Sequence, residues 1–196
     1  VISRISGEGA DRKAEPGDYY LSEQEEEELK AITECYDNTI VILNVGGVMD
    51  VSFLEKYNIA ALVMLSQAGM EGGNALADVL SGAVTPSGKL TDTWGCHYED
   101  YPSSATFSHN NGNIIEEKYY EGIYVGYRYL DSVEVEQRYP FGYGMSYTTF
   151  EVATENAAWK PDAESKTITV TVKVTNTGSC AGKEVVQIYA ACPFGK

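Results

Sequence analysis

The chain has 196 residues and a formal net charge of −15, from 29 aspartate and glutamate residues against 14 lysine and arginine residues. A surface this acidic repels phosphate backbones and anionic lipids, so nucleic acids and membranes are poor candidates for partners. No stretch approaches the roughly 20 consecutive apolar residues that a membrane-spanning helix needs. The composition suits a protein that acts on a neutral ligand, and we leave its localisation open, with the cytoplasm favoured.

The first ninety residues alternate short apolar runs with helical patterns. Residues 1–5 predict a strand, and a loop rich in glycine and charge follows it. Ser22 and Glu25 form a capping-box pattern that predicts the start of a helix, and the spacing of Leu29, Ile32 and Tyr36 predicts that these three side chains face the core. The stretches that follow predict, in order, strand 40–45, helix 49–57, strand 60–65 and helix 75–80.

Continuous β-branched strands that alternate with helices are typical of a parallel sheet covered on both faces. We therefore predict part of a mainly parallel α/β sandwich domain over residues 1–146. Three parallel strands are few for such a sheet, so we expect more of it upstream. Both ends of the chain read as interrupted elements, and we expect the sequence to be truncated at both termini.

The character of the sequence changes after Pro86. A section rich in tyrosine, asparagine and glycine extends to Tyr143 and predicts irregular structure that packs over other elements. Alternation with a period of two then predicts strands 167–174 and 185–189 with a turn at 176–179. We interpret residues 147–196 as the start of an all-β sandwich of the immunoglobulin or fibronectin type III-like kind, which is incomplete because such a fold needs about seven strands.

Metal sites and cofactors are not expected. The cysteines lie far apart and form no CxxC pair, which argues against zinc; they are Cys35, Cys96, Cys180 and Cys192. His97 and His109 have no carboxylate or cysteine at ligand spacing.

Glu8 lies in the loop that follows the first strand, between Gly7 and Gly9. In parallel sheets ligands bind beyond the carboxyl ends of the strands, and this loop occupies that position. Flanking glycines allow unusual backbone angles, which can direct a carboxyl group into a cleft. On these residues alone, a solvated turn remains the ordinary alternative, with Asp11 and Arg12 bracing the loop by ion pairing.

Two other classes of function also remain open on the residues alone. A nucleotide- or flavin-binding domain would use the same loop to hold phosphate, but the loop lacks a GxGxxG or GK[S/T] motif and carries an anion. A non-catalytic carbohydrate-binding or adhesion module is suggested by the β-sandwich and by tyrosines that could stack on sugars, although packing is the simpler role for them; these are Tyr119, Tyr120, Tyr124, Tyr127 and Tyr129.

Ordered blocks of sequence along nearly the whole chain carry a more specific signal: VISRISGEGADR at 1–12, QAGMEGGNALADVLSG at 67–82, TPSGKL at 85–90, YEGIYVGYRY at 120–129, PFGYGMSYTTF at 140–150, VTNTG at 174–178 and AGKEVVQIY at 181–189. These blocks closely resemble the β-glucosidases of glycoside hydrolase family 3. The sequence departs from the common family pattern at residues 91–95, where many members have an extended segment that contains proline.

The resemblance implies a multidomain retaining β-glycosidase. A TIM-like barrel supplies an aspartate nucleophile, and an α/β sandwich domain supplies the general acid/base glutamate, which corresponds to Glu8. Retaining enzymes hold the two carboxyl groups about 5–5.5 Å apart, and the acid/base residue needs a pKa near the working pH. The barrel and its nucleophile have no counterpart in this sequence, so the isolated chain is expected to be inactive.

The resemblance also implies the partners of the chain. These are the remaining domains of the same enzyme and a β-glucoside or related oligosaccharide, hydrolysed at terminal non-reducing β-D-glucosyl residues. β-Xylosides are the alternative substrate, because the barrel builds most of the sugar pocket. Substrate-binding residues are not assigned.

Overall fold

The computed structural model describes residues 1–5, 12–160 and 167–190. The chain divides into two compact units, one of Val1–Ala77 with Leu90–Phe141 and the other of Asp78–Lys89 with Gly142–Lys196. The division into domains 1–146 and 147–196 stays a prediction.

The first unit is built on a three-stranded parallel sheet in the order β1-β2-β3. A helix lies between each pair of consecutive strands, and a third follows the last strand, which confirms the α/β fold class. The elements are β1 (Ile2–Ser3), α1 (Glu23–Cys35), β2 (Ile40–Asn44), α2 (Phe53–Lys56), β3 (Ala61–Met64) and α3 (Gly72–Leu80).

The core of this unit centres on β2 and the segment after it. Leu43 and Val45 are fully buried, as are Met49 and Phe53 around the start of α2. These side chains belong to one apolar cluster with Ile2 of β1. Burial of apolar side chains therefore stabilises β1 and β2 in addition to the hydrogen bonds between the strands.

Helix α1 begins as the sequence predicts but buries less of its surface. The Ser22 hydroxyl accepts from the Glu25 backbone N–H, and the Glu25 carboxylate accepts from the Ser22 N–H, which confirms the capping box. Leu29 is the buried residue of the helix. The prediction that Ile32 and Tyr36 face the core is wrong, since they are 45% and 66% exposed. Tyr36 lies past the last helical turn in extended backbone, so helical spacing no longer applies to it.

Other helix boundaries differ from the prediction by a few residues. Helix α2 starts only at Phe53, and the buried Met49 and Val51 lie before it, outside any helix. Helix α3 starts at Gly72, three residues earlier than its apolar pattern suggested.

The aromatic-rich section adds short elements to the first unit. Strand β4 (Trp94–Gly95) pairs antiparallel with β5 (Gln137–Tyr139), and helix α4 (Tyr127–Ser132) precedes β5. Trp94 is buried and contacts the ring of Tyr139 edge-on. Two single 3₁₀ turns at Tyr98–Asp100 and Phe107–His109 complete the described structure of this section.

The second unit contains one long antiparallel hairpin. Strand β6 (Phe150–Lys160) pairs with β7 (Thr167–Asn176), from Phe150 opposite Asn176 to the far end, with an irregularity between Thr154 and Asn156. The predicted strand at 167–174 is confirmed. The predicted strand at 185–189 is wrong, because these residues pair with no strand in the described part of the chain and alternation alone does not satisfy backbone groups.

Candidate active site

Glu8, the residue predicted from the sequence to be the acid/base, belongs to the segment 6–11, which lies outside the described residues. The structure describes the residues on either side of that segment. Strand β1 ends at Ser3, and Arg4 continues its pairing through its backbone N–H, which donates to the Asn44 carbonyl at 3.2 Å. Because the three strands run parallel, Arg4 lies at the carboxyl edge of the sheet, where ligands of α/β domains bind.

Arg4 anchors the end of β1. Its side chain is buried and donates five hydrogen bonds. Two go to the carboxylate oxygens of Glu25, each at 2.7 Å, and the others go to the backbone carbonyls of Ser3, Asp18 and Tyr20 at 2.9, 2.8 and 3.2 Å. A paired guanidinium with all its contacts satisfied is one of the few ways to bury a full charge. The strand end before the Glu8 segment is therefore held in place.

Glu25 joins this anchor to helix α1. One of its carboxylate oxygens accepts both from Arg4 and from the backbone N–H of Ser22. Burial alone would raise the pKa of Glu25, but hydrogen bonds from Arg4 and Ser22 outweigh it, so the pKa lies below its ordinary value. The carboxylate stays ionised, and it fixes the helix start to the strand end.

The far side of the segment is held by Asp18. Arg12 donates to the carbonyl and to the carboxylate of Asp18 at 3.2 and 3.3 Å, and the Lys13 backbone N–H donates to the other carboxylate oxygen at 2.7 Å. Partial burial, the largest influence, lowers the pKa of the Arg12 guanidinium, while the nearby Asp18 charge opposes this. Arg12 thus has the ion-pairing role that the sequence suggested for it.

The loop after β3 also contributes to the carboxyl edge of the sheet. The Gln67 side chain, in the loop after β3, donates to the Arg4 carbonyl at 2.8 Å. Ser66 and Gln67 both have positive φ angles, 61° and 51°. Such backbone costs about 1–3 kcal/mol per residue and is concentrated at functional sites. The strained loop therefore supports the Arg4 carbonyl, two residues before the Glu8 segment.

Sequence reasoning missed Arg4, Asp18 and Gln67 as parts of this arrangement. Glu25 was assigned only to the helix cap. The one available signal was a charged residue directly after an apolar strand, at the edge where a catalytic loop is expected.

Other candidate residues have ordinary surroundings. His109 lies 3.6 Å from the Glu117 carboxylate, and the His97 backbone N–H donates to Asp100. Tyr119 and Tyr120 are exposed. Across residues 1–5, 12–160 and 167–190, no group of three or more His, Cys, Asp or Glu side chains could hold a metal ion. No helix in this described part has the length and apolar character needed to cross a membrane.

Comparison with known proteins identifies the family. A model of the glycosyl hydrolase family 3 C-terminal domain matches residues 1–147. β-Glucosidase A of Butyrivibrio fibrisolvens is 40% identical and the match covers all of this chain, and the β-glucosidase of Ruminococcus albus is 40% identical over 98% of it. The solved structure of β-glucosidase 3B from Thermotoga neapolitana in complex with glucose covers 92% of the chain with a TM-score of 0.84 and 42% identity.

The chain spans only part of these proteins: 28% and 20% of the two curated relatives and 25% of the solved chain. The resemblance read from the sequence is nonetheless confirmed, because the family model accounts for 147 of the 196 residues. The chain belongs to glycoside hydrolase family 3.

Proposed function

We propose that this chain is part of a retaining β-glucosidase and that Glu8 is its general acid/base residue. The observation that carries the proposal is that the family's acid/base motif lies just beyond the carboxyl end of a parallel strand. The SGEGADR stretch begins three residues after the end of a parallel strand, beside the anchoring Arg4, and relatives that match all or nearly all of the chain are named β-glucosidases.

Glu8 has two tasks in the proposed reaction. In the first step its carboxylic acid donates a proton to the leaving glycosidic oxygen, while a second carboxylate attacks the anomeric carbon and forms a glycosyl-enzyme intermediate. In the second step the Glu8 carboxylate takes a proton from water, whose oxygen attacks the same carbon and releases the sugar. Two inversions leave the β configuration unchanged.

The second carboxylate is assigned to the part of the enzyme outside this chain. No position of this sequence matches the family's nucleophile motif, and the chain spans 20–28% of its curated relatives. The proposed partners are therefore the remaining domains of the enzyme, including a TIM-like barrel, together with the substrate.

Glucosides are the proposed substrates. The T. neapolitana structure that resembles this chain contains glucose, and both named relatives are β-glucosidases. No observation favours a β-xyloside, a nucleotide or flavin, or a purely adhesive role.

Substitution of Glu8 tests the proposal in the complete enzyme that contains this chain. Glu8→Gln keeps the shape of the side chain but can neither donate nor accept the catalytic proton, which is worth about 10²–10⁴-fold in rate. We expect kcat/KM to fall by this factor for disaccharides and alkyl glucosides, whose leaving groups need protonation. For dinitrophenyl glucoside kcat/KM should be largely spared, while kcat falls because deglycosylation lacks a base.

Azide provides the second measurement. It attacks the intermediate without a base, so it should restore kcat of Glu8→Gln on activated substrates and yield a β-glucosyl azide. Glu27→Gln, an exposed carboxylate of α1, is the matched control and should behave as wild type. An equal loss on every substrate without azide rescue, or an azide product of inverted configuration, would contradict the acid/base assignment.

A further inference from the structure

The two ends of the Glu8 segment meet at one residue. Before the segment, the Arg4 side chain donates to the Asp18 carbonyl at 2.8 Å. After it, Arg12 donates to the same carbonyl at 3.2 Å and to the Asp18 carboxylate at 3.3 Å, where the Lys13 backbone N–H also donates. Asp18 lies outside the motif that carries the catalytic residue, and the family resemblance assigns no role to it.

The sequence of the segment 6–11 explains why its two ends would need to be fixed at Asp18. Residues 6–11 include Gly7 and Gly9, and glycine has more backbone freedom to lose than any other residue. A general acid works only when its proton lies within hydrogen-bond reach of the leaving oxygen. Fixing both ends of a short segment at one point restricts the conformations that it can sample.

We propose that Asp18 is a positioning residue for Glu8, acting through the ends of the segment 6–11 and not on the substrate. The inference rests on the proposed acid/base role of Glu8. The side chain of Asp18 makes contacts that are separate from those of its backbone carbonyl. The carboxylate accepts from Arg12 and Lys13, which fixes the chain leaving the segment, whereas the carbonyl already serves Arg4.

The ionic part of this junction is partly shielded from water. The Arg12 and Asp18 side chains are 17% and 29% exposed, whereas the neighbouring Lys13–Glu15 pair is 68% and 59% exposed and 3.9 Å apart. A shielded, charge-assisted contact is stronger than an exposed pair, which contributes little. The same loop therefore offers a matched control: Asp18→Asn and Glu15→Gln both change a carboxylate into an amide.

The experiment is a double-mutant cycle between Asp18→Asn and Glu8→Gln in the complete enzyme. If Asp18 acts through Glu8, we expect Asp18→Asn to lower kcat/KM for cellobiose about 10-fold, since small misplacements of a reacting group are costly. On dinitrophenyl glucoside, which needs no acid, kcat/KM should change by less than about 2-fold. In the Glu8→Gln background, the same substitution should have almost no further effect on cellobiose.

A purely structural role gives different results. Loss of general stability or of the substrate pocket would lower kcat/KM equally for both substrates, and by the same factor with or without Glu8. Either result would overturn the positioning role. Glu15→Gln should leave both substrates unaffected, and a loss as large as that of Asp18→Asn would also overturn it.

A second variant covers the case in which Asp18→Asn does not fold, which a thermal melt detects. Arg12→Lys keeps the positive charge but replaces the planar guanidinium, whose Nη1 makes both bonds to Asp18, with a more strongly hydrated ammonium, so it should give a smaller loss with the same dependence on the leaving group. If Arg12→Lys folds and is silent on both substrates, the proposal is wrong. A different outcome would contradict the proposed function itself. This outcome is a Glu8→Gln variant whose loss of kcat/KM is no larger for cellobiose than for dinitrophenyl glucoside.

Discussion

At the scale of single residues, the buried Arg4–Glu25 pair is the contact with most influence on the candidate site. Removing one partner of a buried pair leaves the other charge without compensation, whereas an exposed pair contributes little. The Arg4 side chain is 5% exposed, and its guanidinium also serves three backbone carbonyls. The cost of losing it is therefore larger than that of an ordinary surface ion pair.

We predict that Arg4→Met destabilises the strand end and the start of α1 by about 2–3 kcal/mol, less than the roughly 3–5 kcal/mol typical of a fully buried pair, because the Glu25 side chain is 25% exposed. Hydrogen exchange of the α1 amides in the complete enzyme would measure this. Lys56→Met, which removes an exposed 3.0 Å pair with Glu26, is the matched control and should cost less than about 1 kcal/mol. Equal effects of the two substitutions would contradict the prediction.

The same pair predicts a pH dependence. The folded-state pKa of Glu25 lies below its ordinary value of 4.5, so its ionisation adds stability above that pH. The contribution is lost as the pH falls through the lowered pKa. We expect the difference in α1 protection between wild type and Arg4→Met to be largest above pH 5 and to shrink toward pH 3. A difference that stays constant over this range would show that Glu25 ionisation contributes nothing.

At the scale of elements, the end of the β6–β7 hairpin depends on one asparagine. The Asn176 side-chain oxygen accepts from the Thr148 hydroxyl at 2.7 Å and from the Gly178 backbone N–H at 3.0 Å, and its amide donates to the Cys180 carbonyl at 2.8 Å. Gly178 is required by close approach, since a Cβ there would lie 2.3 Å from the Thr148 hydroxyl oxygen. The VTNTG block is therefore explained by packing at this corner.

We predict that Asn176→Ala lowers the protection of the Thr177 and Gly178 amides from hydrogen exchange by at least about 10-fold, because each lost hydrogen bond is worth about 1 kcal/mol. Ser179→Ala, in the same turn, should leave both amides nearly unchanged. Unchanged protection in Asn176→Ala would mean that the strand ladder alone holds the corner.

At the scale of the whole molecule, large apolar side chains in the described part of the first unit are exposed close together in the sequence. In the first unit Ile114, Ile115, Tyr119 and Tyr120 are 79%, 94%, 88% and 75% exposed within seven residues of sequence, none of them in a described helix or strand. Extended exposed apolar patches mark interaction surfaces. This agrees with the proposal that further domains of the enzyme accompany the chain.

We predict that the isolated 196-residue chain does not hydrolyse aryl β-glucosides, because the proposed acid/base Glu8 would be only one of the two carboxylates that the proposed reaction needs. It should also self-associate, which light scattering would detect, and co-expression of the further domains proposed for the enzyme should suppress the association. Robust turnover by the purified chain would show that the second carboxylate lies within it. A monomeric chain with a cooperative thermal transition would contradict the expected dependence on other domains.

The sequence by itself determined the features that depend on neighbours in the chain. Apolar runs predicted the parallel strands, Ser22 and Glu25 predicted the start of α1, and the ordered motifs identified the family; the acid/base role of Glu8 stays a prediction. The same local reasoning failed at residues 185–189, where alternation predicted a strand that pairs with none in the described part of the chain. A strand needs a partner as well as a pattern.

Only the tertiary structure decided what surrounds the candidate site. Arg4 meets Asp18, Glu25 and Gln67, which are 14, 21 and 63 residues away along the chain. No local pattern encodes these contacts, because an arginine after a strand has the same spacing whether it is solvated or buried. They arise when the parallel strands bring their carboxyl ends to one edge of the sheet and burial removes water from the guanidinium, so that only protein acceptors remain to satisfy it.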